Sequence, residues 1–190
     1  LSVSLAHSDE HIEQCLRLRY RVFASELGAA IPGTGGLDTD GLDPYCKHLA
    51  VIDHKTGETG ATTRLLLDDD AVTAGGFYSE MEFDLARVLS LPGKKLEVGR
   101  TCIHPQYRKG AALAMLWHGL ARIIDLNEVD YLIGCASIPL TYGNAYVAAI
   151  VDALREDYFS DPSLRVYPRT PLPRIESKPV PNALMPTLLK

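Results

Sequence analysis

No cysteine in this chain has a CxxC partner. Cys15, Cys46, Cys102 and Cys135 are isolated, each inside or beside an apolar run, and read as buried reduced thiols and not as a disulfide framework. The six histidines are scattered as well, so the clustered ligands of a zinc site are missing and no metal is expected. No apolar stretch reaches the ~18 residues that a membrane span needs. The first residues lack a signal-peptide pattern, so the expectation is a cytoplasmic protein. Basic residues are outnumbered, 19 Lys and Arg against 24 Asp and Glu, and the net charge of −5 argues against nucleic acid as a main partner. Internal repeats and low-complexity tracts are also absent. What is present is 190 residues at 46% hydrophobic composition, enough for one domain with a sizeable core.

Local pattern orders the chain. Ser2–Ala6 alternates as a first strand, and Ser8 or Asp9 caps a helix running to about Leu27. Its apolar positions Ile12, Leu16, Tyr20, Phe23 and Leu27 repeat at three or four residues and predict one buried face. After a long loop with PGTGG and DTDGLD, the runs His48–Asp53 and Gly60–Leu67 flank HKTGE as a hairpin that Asp68–Asp70 ends. Ser79-x-x-Glu82 has the form of a capping box, opening a helix to about Leu89. Leu96–Ile103 reads as a strand, Gly110–Leu126 as a helix, and Tyr131–Ser137 as a buried central strand. Tyr142–Arg155 reads as a helix and Leu164–Tyr167 as a last strand. Prolines at 168, 171, 173, 179, 181 and 186 then exclude a long helix or a central strand. The alternation in the second half predicts a parallel or mixed sheet with helices on both faces.

Two features of LEVGRTCIHPQYRKGA (96–111) exceed what a strand and helix need. Glu97 and Arg100 interrupt an apolar strand, and Arg108-Lys109-Gly110-Ala111-Ala112 leads into a helix N-terminus, a setting suited to an anion. A plain strand–helix connection with a basic rim explains the second feature equally well. Arg19 and Arg64 likewise stand in apolar surroundings, and buried arginines need partners. Asp38, Asp40 and Asp43 form an acidic loop that could supply them, whether as a binding pocket or as a structural ion network.

The segment resembles motif A of the GNAT acyltransferase superfamily. It is one residue shorter than the pyrophosphate-binding pattern and similar to the branch that takes acyl groups from acyl carrier protein. LRYRVFASELGA (18–29), DTDGLD (38–43), TTRLL (62–66) and Glu97-x-x-Arg100 resemble acyl-homoserine-lactone (autoinducer) synthases. GGFYSEMEFDL (75–85), LEVGRTCIHPQYRKGA and YLIGCAS (131–137) look closer to ornithine lipid synthases and long-chain N-acyl amino acid synthases.

The resemblance implies an α/β (α+β) fold: a GNAT-like mixed central sheet with helices on both faces and a splayed, bulged fourth strand. It implies one acyltransferase domain over 1–167 and a Pro-rich extended tail, 168–190, packing on it. The implied reaction moves a long-chain fatty acyl group from the phosphopantetheine thioester of acyl carrier protein to the α-amine of an amino acid, with no permanently bound cofactor. The chain stops at PTLLK, before ornithine lipid synthases usually do, which favours the compact amino acid synthases, with tyrosine a plausible acceptor. Ornithine acylation, lactone synthesis and a catalytically silent acyl or amino acid sensor are the alternatives.

In the implied chemistry Glu97 removes a proton from the acceptor, with pairing to Arg100 as its structural alternative. Arg100 shares the site, and Tyr142 protonates the departing thiolate. Backbone N–H groups of Thr101, Cys102 and Ile103 meet the oxyanion, while Arg108, Lys109, Gly110 and Ala111 hold the pantetheine phosphate. Arg19, Phe23, Asp38, Asp40, Asp43 and Arg64 form the acceptor pocket. Leu113, Met115, Leu116 and Trp117 line an acyl tunnel or simply the core. An acidic carrier protein would dock on Arg17, Arg21, Arg108, Lys109 and Arg122.

Overall fold

The computed structural model describes residues 1–31, 35–138 and 143–171. In chain order its elements are β1 (Ser2–Leu5), α1 (Asp9–Tyr20), β2 (Lys47–Ile52), β3 (Thr59–Leu67), α2 (Asp68–Ala74), α3 (Ser79–Glu82), β4 (Phe83–Asp84), α4 (Ala86–Leu89), β5 (Lys94–Ile103), α5 (Ala112–Asn127), β6 (Val129–Ile133), α6 (Asn144–Tyr158) and β7 (Tyr167–Pro168). They group into two compact units, Leu1–Ser79 with Pro92–Cys135, and Glu80–Leu91 with the described residues from Ala136 on.

The first unit carries a five-stranded sheet in the order β1-β2-β3-β5-β6. The first three junctions are antiparallel and β5–β6 is parallel, so the sheet is mixed, as expected. Strand alternation divides its side chains between two faces. Leu49, Val51, Ala61, Leu65 and Leu96 point to one face and pack with Ala112, Leu116 and Leu120 of α5. Burying each leucine is worth about 1.5–3 kcal/mol before chain entropy is set against it. Gly119 lets α5 lie close, because a Cβ there would collide with Val3 and Leu49. The opposite face carries α1, whose Ser8 cap accepts the His11 N–H at 3.2 Å.

The buried seam of α1 is Cys15, Leu18, Arg19 and Val22 beside Leu16, while Leu27 is exposed. Apolar spacing misplaces the seam because its central member is an ion-paired arginine. The helix continues through Arg21–Glu26 as a wider π-type turn, with the Leu27 N–H reaching the Val22 carbonyl at 3.1 Å.

Other expectations change. Asp68–Asp70 do not merely end the hairpin; three carboxylates begin α2, where the helix dipole favours them. Among the described residues β6, expected to be central, is the last strand in the order of the sheet, and Leu132 is 46% exposed. The helix expected over 79–89 is broken, because Phe83–Asp84 pairs antiparallel with Tyr167–Pro168, and Asp84 then accepts the Ala86 N–H at 3.0 Å to restart it.

These last contacts lie in the second unit, which also contains α6. There Arg169 donates to the Glu80 carbonyl at 2.6 Å, and its backbone N–H to the Glu82 carbonyl at 2.8 Å. The last strand is the pair Tyr167–Pro168, shorter than Leu164–Tyr167 predicts. Most of the expected tail, from 172 on, lies outside the described residues, as does Pro32–Thr34 of PGTGG. No described helix is long and apolar enough to cross a membrane.

Candidate active site

A strand alternates its faces, so residues 97 and 100 should point to opposite sides. They do not, because β5 carries one extra residue. Thr62 opposes Cys102 and Arg64 opposes Gly99, so two steps along β3 match three along β5. The inserted residue is Arg100, held left-handed at φ +52°. That conformation costs a non-glycine residue on the order of 1–2 kcal/mol. The bulge brings Glu97, Arg100 and Cys102 to the α1 face and leaves Thr101 and Ile103 on the α5 face.

On the α1 face the expected arginines and aspartates meet, and they close a ring of alternating charge. Arg19, fully buried, binds Asp38 at 3.0 Å and both oxygens of Asp43 at 2.7 and 3.2 Å. Arg64 binds Asp43 at 3.1 Å and Asp40 at 2.6 Å. Arg100 joins Asp40 back to Asp38, at 3.3 Å to each. Each carboxylate therefore bridges two guanidinium groups, and three charges of each sign cancel. The loop is set by its own backbone, with Asp40 N–H on Asp43 at 2.7 Å and Leu42 N–H on Asp40 at 2.9 Å. Phe23 packs beneath, against Leu18, Val22 and Cys102.

The ring runs from dry to wet. Side-chain exposure is 0% at Arg19 and 1% at Asp38, but 21% at Asp40 and 27% at Arg100. Burial pushes the Asp43 carboxyl up, and the Arg19 hydrogen bonds and charge more than offset this, holding it below the usual carboxylate range. Burial lowers Arg19, but Asp43 and Asp38 more than compensate and raise it. A buried ion network of this kind is only as stable as its complete set of partners.

Glu97 is 5% exposed, and its carboxylate accepts the backbone N–H groups of Tyr78 at 2.9 Å and Ser79 at 2.7 Å. The ion pairs of Arg100 run to Asp38 and Asp40, so the alternative of a Glu97–Arg100 pair gives way to an anchor for residues 78–79. Tyr78, held this way, places its ring 5.2 Å from the Arg100 guanidinium carbon, within cation–π range.

Pairing of β5 with β6 runs from Lys94–Val129 to Glu97–Ile133 and stops there among the described residues. Beyond Glu97 the two backbones stay close for one more residue without pairing. Gly134 lies at this point, and a Cβ on it would overlap the Val98 carbonyl. Of the residues expected to offer oxyanion donors, Cys102 and Ile103 keep register with Thr62 and Ala61, whereas Thr101 adjoins the bulge. The Cys102 thiol is buried, and burial pushes it up, so this side chain is core.

The expected anion cradle is partly occupied. Arg108 donates from Nε to the Ile103 carbonyl at 3.1 Å and from its terminal nitrogen to Glu26 at 2.6 Å. Lys109, Gly110 and Ala111 are exposed, and no side chain caps the N-terminus of α5. Leu116 is buried core and Trp117 is 54% exposed, so those two do not line one tunnel. Tyr142 lies outside the described residues.

Three residues of this region escape sequence reasoning. Tyr78 stands just before the capping box and gives no sign of stacking on Arg100. Thr63 sits opposite the bulge, which only the register reveals. His48 is 2% exposed beside the ring, with Nε2 3.9 Å from Asp43 and Nδ1 without a hydrogen-bond partner among the described residues. Burial, then the charge of Arg19, push it down to about 4, so it is neutral near pH 7.

The profile of the Acetyltransferase (GNAT) domain matches residues 18–118. An L-ornithine N(alpha)-acyltransferase of Rhodobacter capsulatus is 39% identical over 143 residues, 71% of this chain and 55% of that protein. One from Agrobacterium fabrum is 34% identical over 160 residues, 79% of this chain and 55% of that protein. The chain thus spans about half the length of the curated relatives it matches. Among solved structures, the AHL synthase LasI superposes with TM-score 0.52 at 16% identity over 70% of each chain, a likeness of fold.

Proposed function

Because the chain belongs to the GNAT acetyltransferase family, we propose that it acylates the α-amine of L-ornithine with a long-chain acyl group from an acyl carrier protein. The observation that carries the acceptor is the similarity to two bacterial L-ornithine N(alpha)-acyltransferases. The main expectation of a compact amino acid synthase, with tyrosine a plausible acceptor, gives way to the ornithine alternative on that ground; where a chain stops says nothing about which amine a pocket takes.

The charge ring supports the reading physically. Ornithine brings one carboxylate and two ammonium groups. The open edge of the ring offers one cation and one anion, Arg100 and Asp40, each partly exposed. Arg100 receives the α-carboxylate, with Tyr78 stacked behind it, and Asp40 receives the side-chain ammonium. Arg19, Asp38, Asp43 and Arg64 hold these two in place.

For reaction the α-ammonium must lose a proton, its nitrogen must bond the thioester carbon, and the carbon–sulfur bond must break. From ammonium to amide the nitrogen gives up two protons: one ends on the departing thiolate and the other is released by way of a base, so the sum is one amide, one free thiol and one proton. Glu97 accepts that proton, directly or through water; its oxygens retain lone pairs beyond the two N–H bonds they already make. The donor enters beside the end of the β5–β6 pairing, with Thr101 facing the carbonyl oxygen and Lys109–Ala111 facing the phosphate.

Purified protein, a long-chain acyl carrier protein and a panel of L-amino acids test this by thiol release and mass spectrometry of the product. Nα-acylornithine is expected as the main product. Preferred acylation of another amino acid, tyrosine among them, would restore the amino acid synthase reading, and no thiol release above the blank with any acceptor would end the proposal.

A further inference from the structure

Arg100 poses a problem of support. It is left-handed, and its two ion pairs, at 3.3 Å each, are the longest in the charge ring. They fix the guanidinium at the end of a flexible side chain and not the backbone that carries it. The support comes from the sheet. Thr63 of β3 lies opposite the inserted residue and is 2% exposed. Its hydroxyl donates to the Gly99 carbonyl at 3.2 Å and lies 2.7 Å from the Thr101 hydroxyl. A threonine hydroxyl has one proton, so with that proton on Gly99 it is Thr101 that donates to Thr63. One side chain thus grips the peptide before Arg100 and the residue after it. Turning Arg100 to the extended conformation would rotate one of these partners away.

We propose that Thr63 is a positioning residue: it clamps the bulge across Gly99 and Thr101, keeps Arg100 left-handed, and thereby sets how tightly the acceptor carboxylate is bound. The last clause rests on the acceptor role proposed for Arg100; the clamp itself does not. Valine matches threonine in shape but cannot donate, whereas serine keeps the hydroxyl.

Crystal structures of the wild type and Thr63→Val provide the first arm. Arg100 is expected to leave the left-handed region in Thr63→Val and to keep it in Thr63→Ser; a left-handed Arg100 in Thr63→Val overturns the clamp. This arm needs no substrate, so it decides the clamp even if the wild type acylates no amino acid, an outcome that would instead sink the functional reading. The second arm is kinetic. Thr63→Val is expected to raise KM for ornithine by about tenfold, the worth of one charge-assisted hydrogen bond. The KM for the acyl donor should stay within about twofold, and Thr63→Ser should restore ornithine binding. An unchanged ornithine KM in Thr63→Val, or equal losses in both variants, overturns the positioning role.

Discussion

His48 makes the stability of this fold depend on pH between its unfolded and folded values. The imidazole is 2% exposed beside Arg19 and Arg64, and burial together with those charges moves it down to about 4 from 6.5. A lowered pKa means that the unfolded chain takes up a proton as pH falls below 6.5, while the folded chain takes it up only near 4. Stability is therefore fully present above 6.5 and lost between 6.5 and 4. Integrated from pH 7.5 to pH 5, the loss is about 2 kcal/mol. Asp43, held below the usual carboxylate range, begins to matter only below about pH 4. Urea unfolding followed by circular dichroism at pH 7.5 and pH 5 measures the difference, provided the slope against urea stays constant. His48→Gln has no titrating group and should remove most of it. His104, which is also lowered, is common to both proteins and cancels in the comparison. A wild type equally stable at both pH values, or a variant with the same pH slope, would refute the argument.

The charge ring and the Glu97 anchor make two further predictions. Arg19→Met leaves Asp38 and Asp43 buried without their shared guanidinium and should lose about 3–5 kcal/mol in thermal or urea unfolding. A loss below about 1 kcal/mol would mean that the ring re-pairs without Arg19. Glu97→Gln turns one accepting oxygen into a donor facing a backbone N–H and should lose about 1.5–3 kcal/mol. Unchanged stability would show that Tyr78 and Ser79 find other acceptors.

Much of the site could be read before the fold was known. Charged residues inside apolar runs are conspicuous and mark Arg19, Arg64, Arg100 and Glu97, while the three aspartates stand out as an acidic loop. Their pairing was not readable, because Asp38 and Arg100 are distant in sequence and meet only when β5 lies beside β3. Nor was the sharing of Glu97 by two backbone N–H groups, since backbone donors leave no mark in the sequence. Tyr78, Thr63 and His48 went unnoticed because a lone tyrosine, threonine or histidine in a strand or loop is ordinary until its neighbours are known.

Composition and periodicity determined the α/β class, the hairpin of β2 and β3, the long helix α5 and the set of charges requiring burial, because these depend on residue type and short-range spacing. Strand order, the end of the β5–β6 pairing and the faces of residues 97 and 100 depended on register. One inserted residue reverses every side chain that follows it, and pairing with β3 makes the left-handed Arg100 tolerable. For that reason a sequence that displays Glu97 and Arg100 on opposite faces of an ideal strand becomes a protein that presents them on the same one.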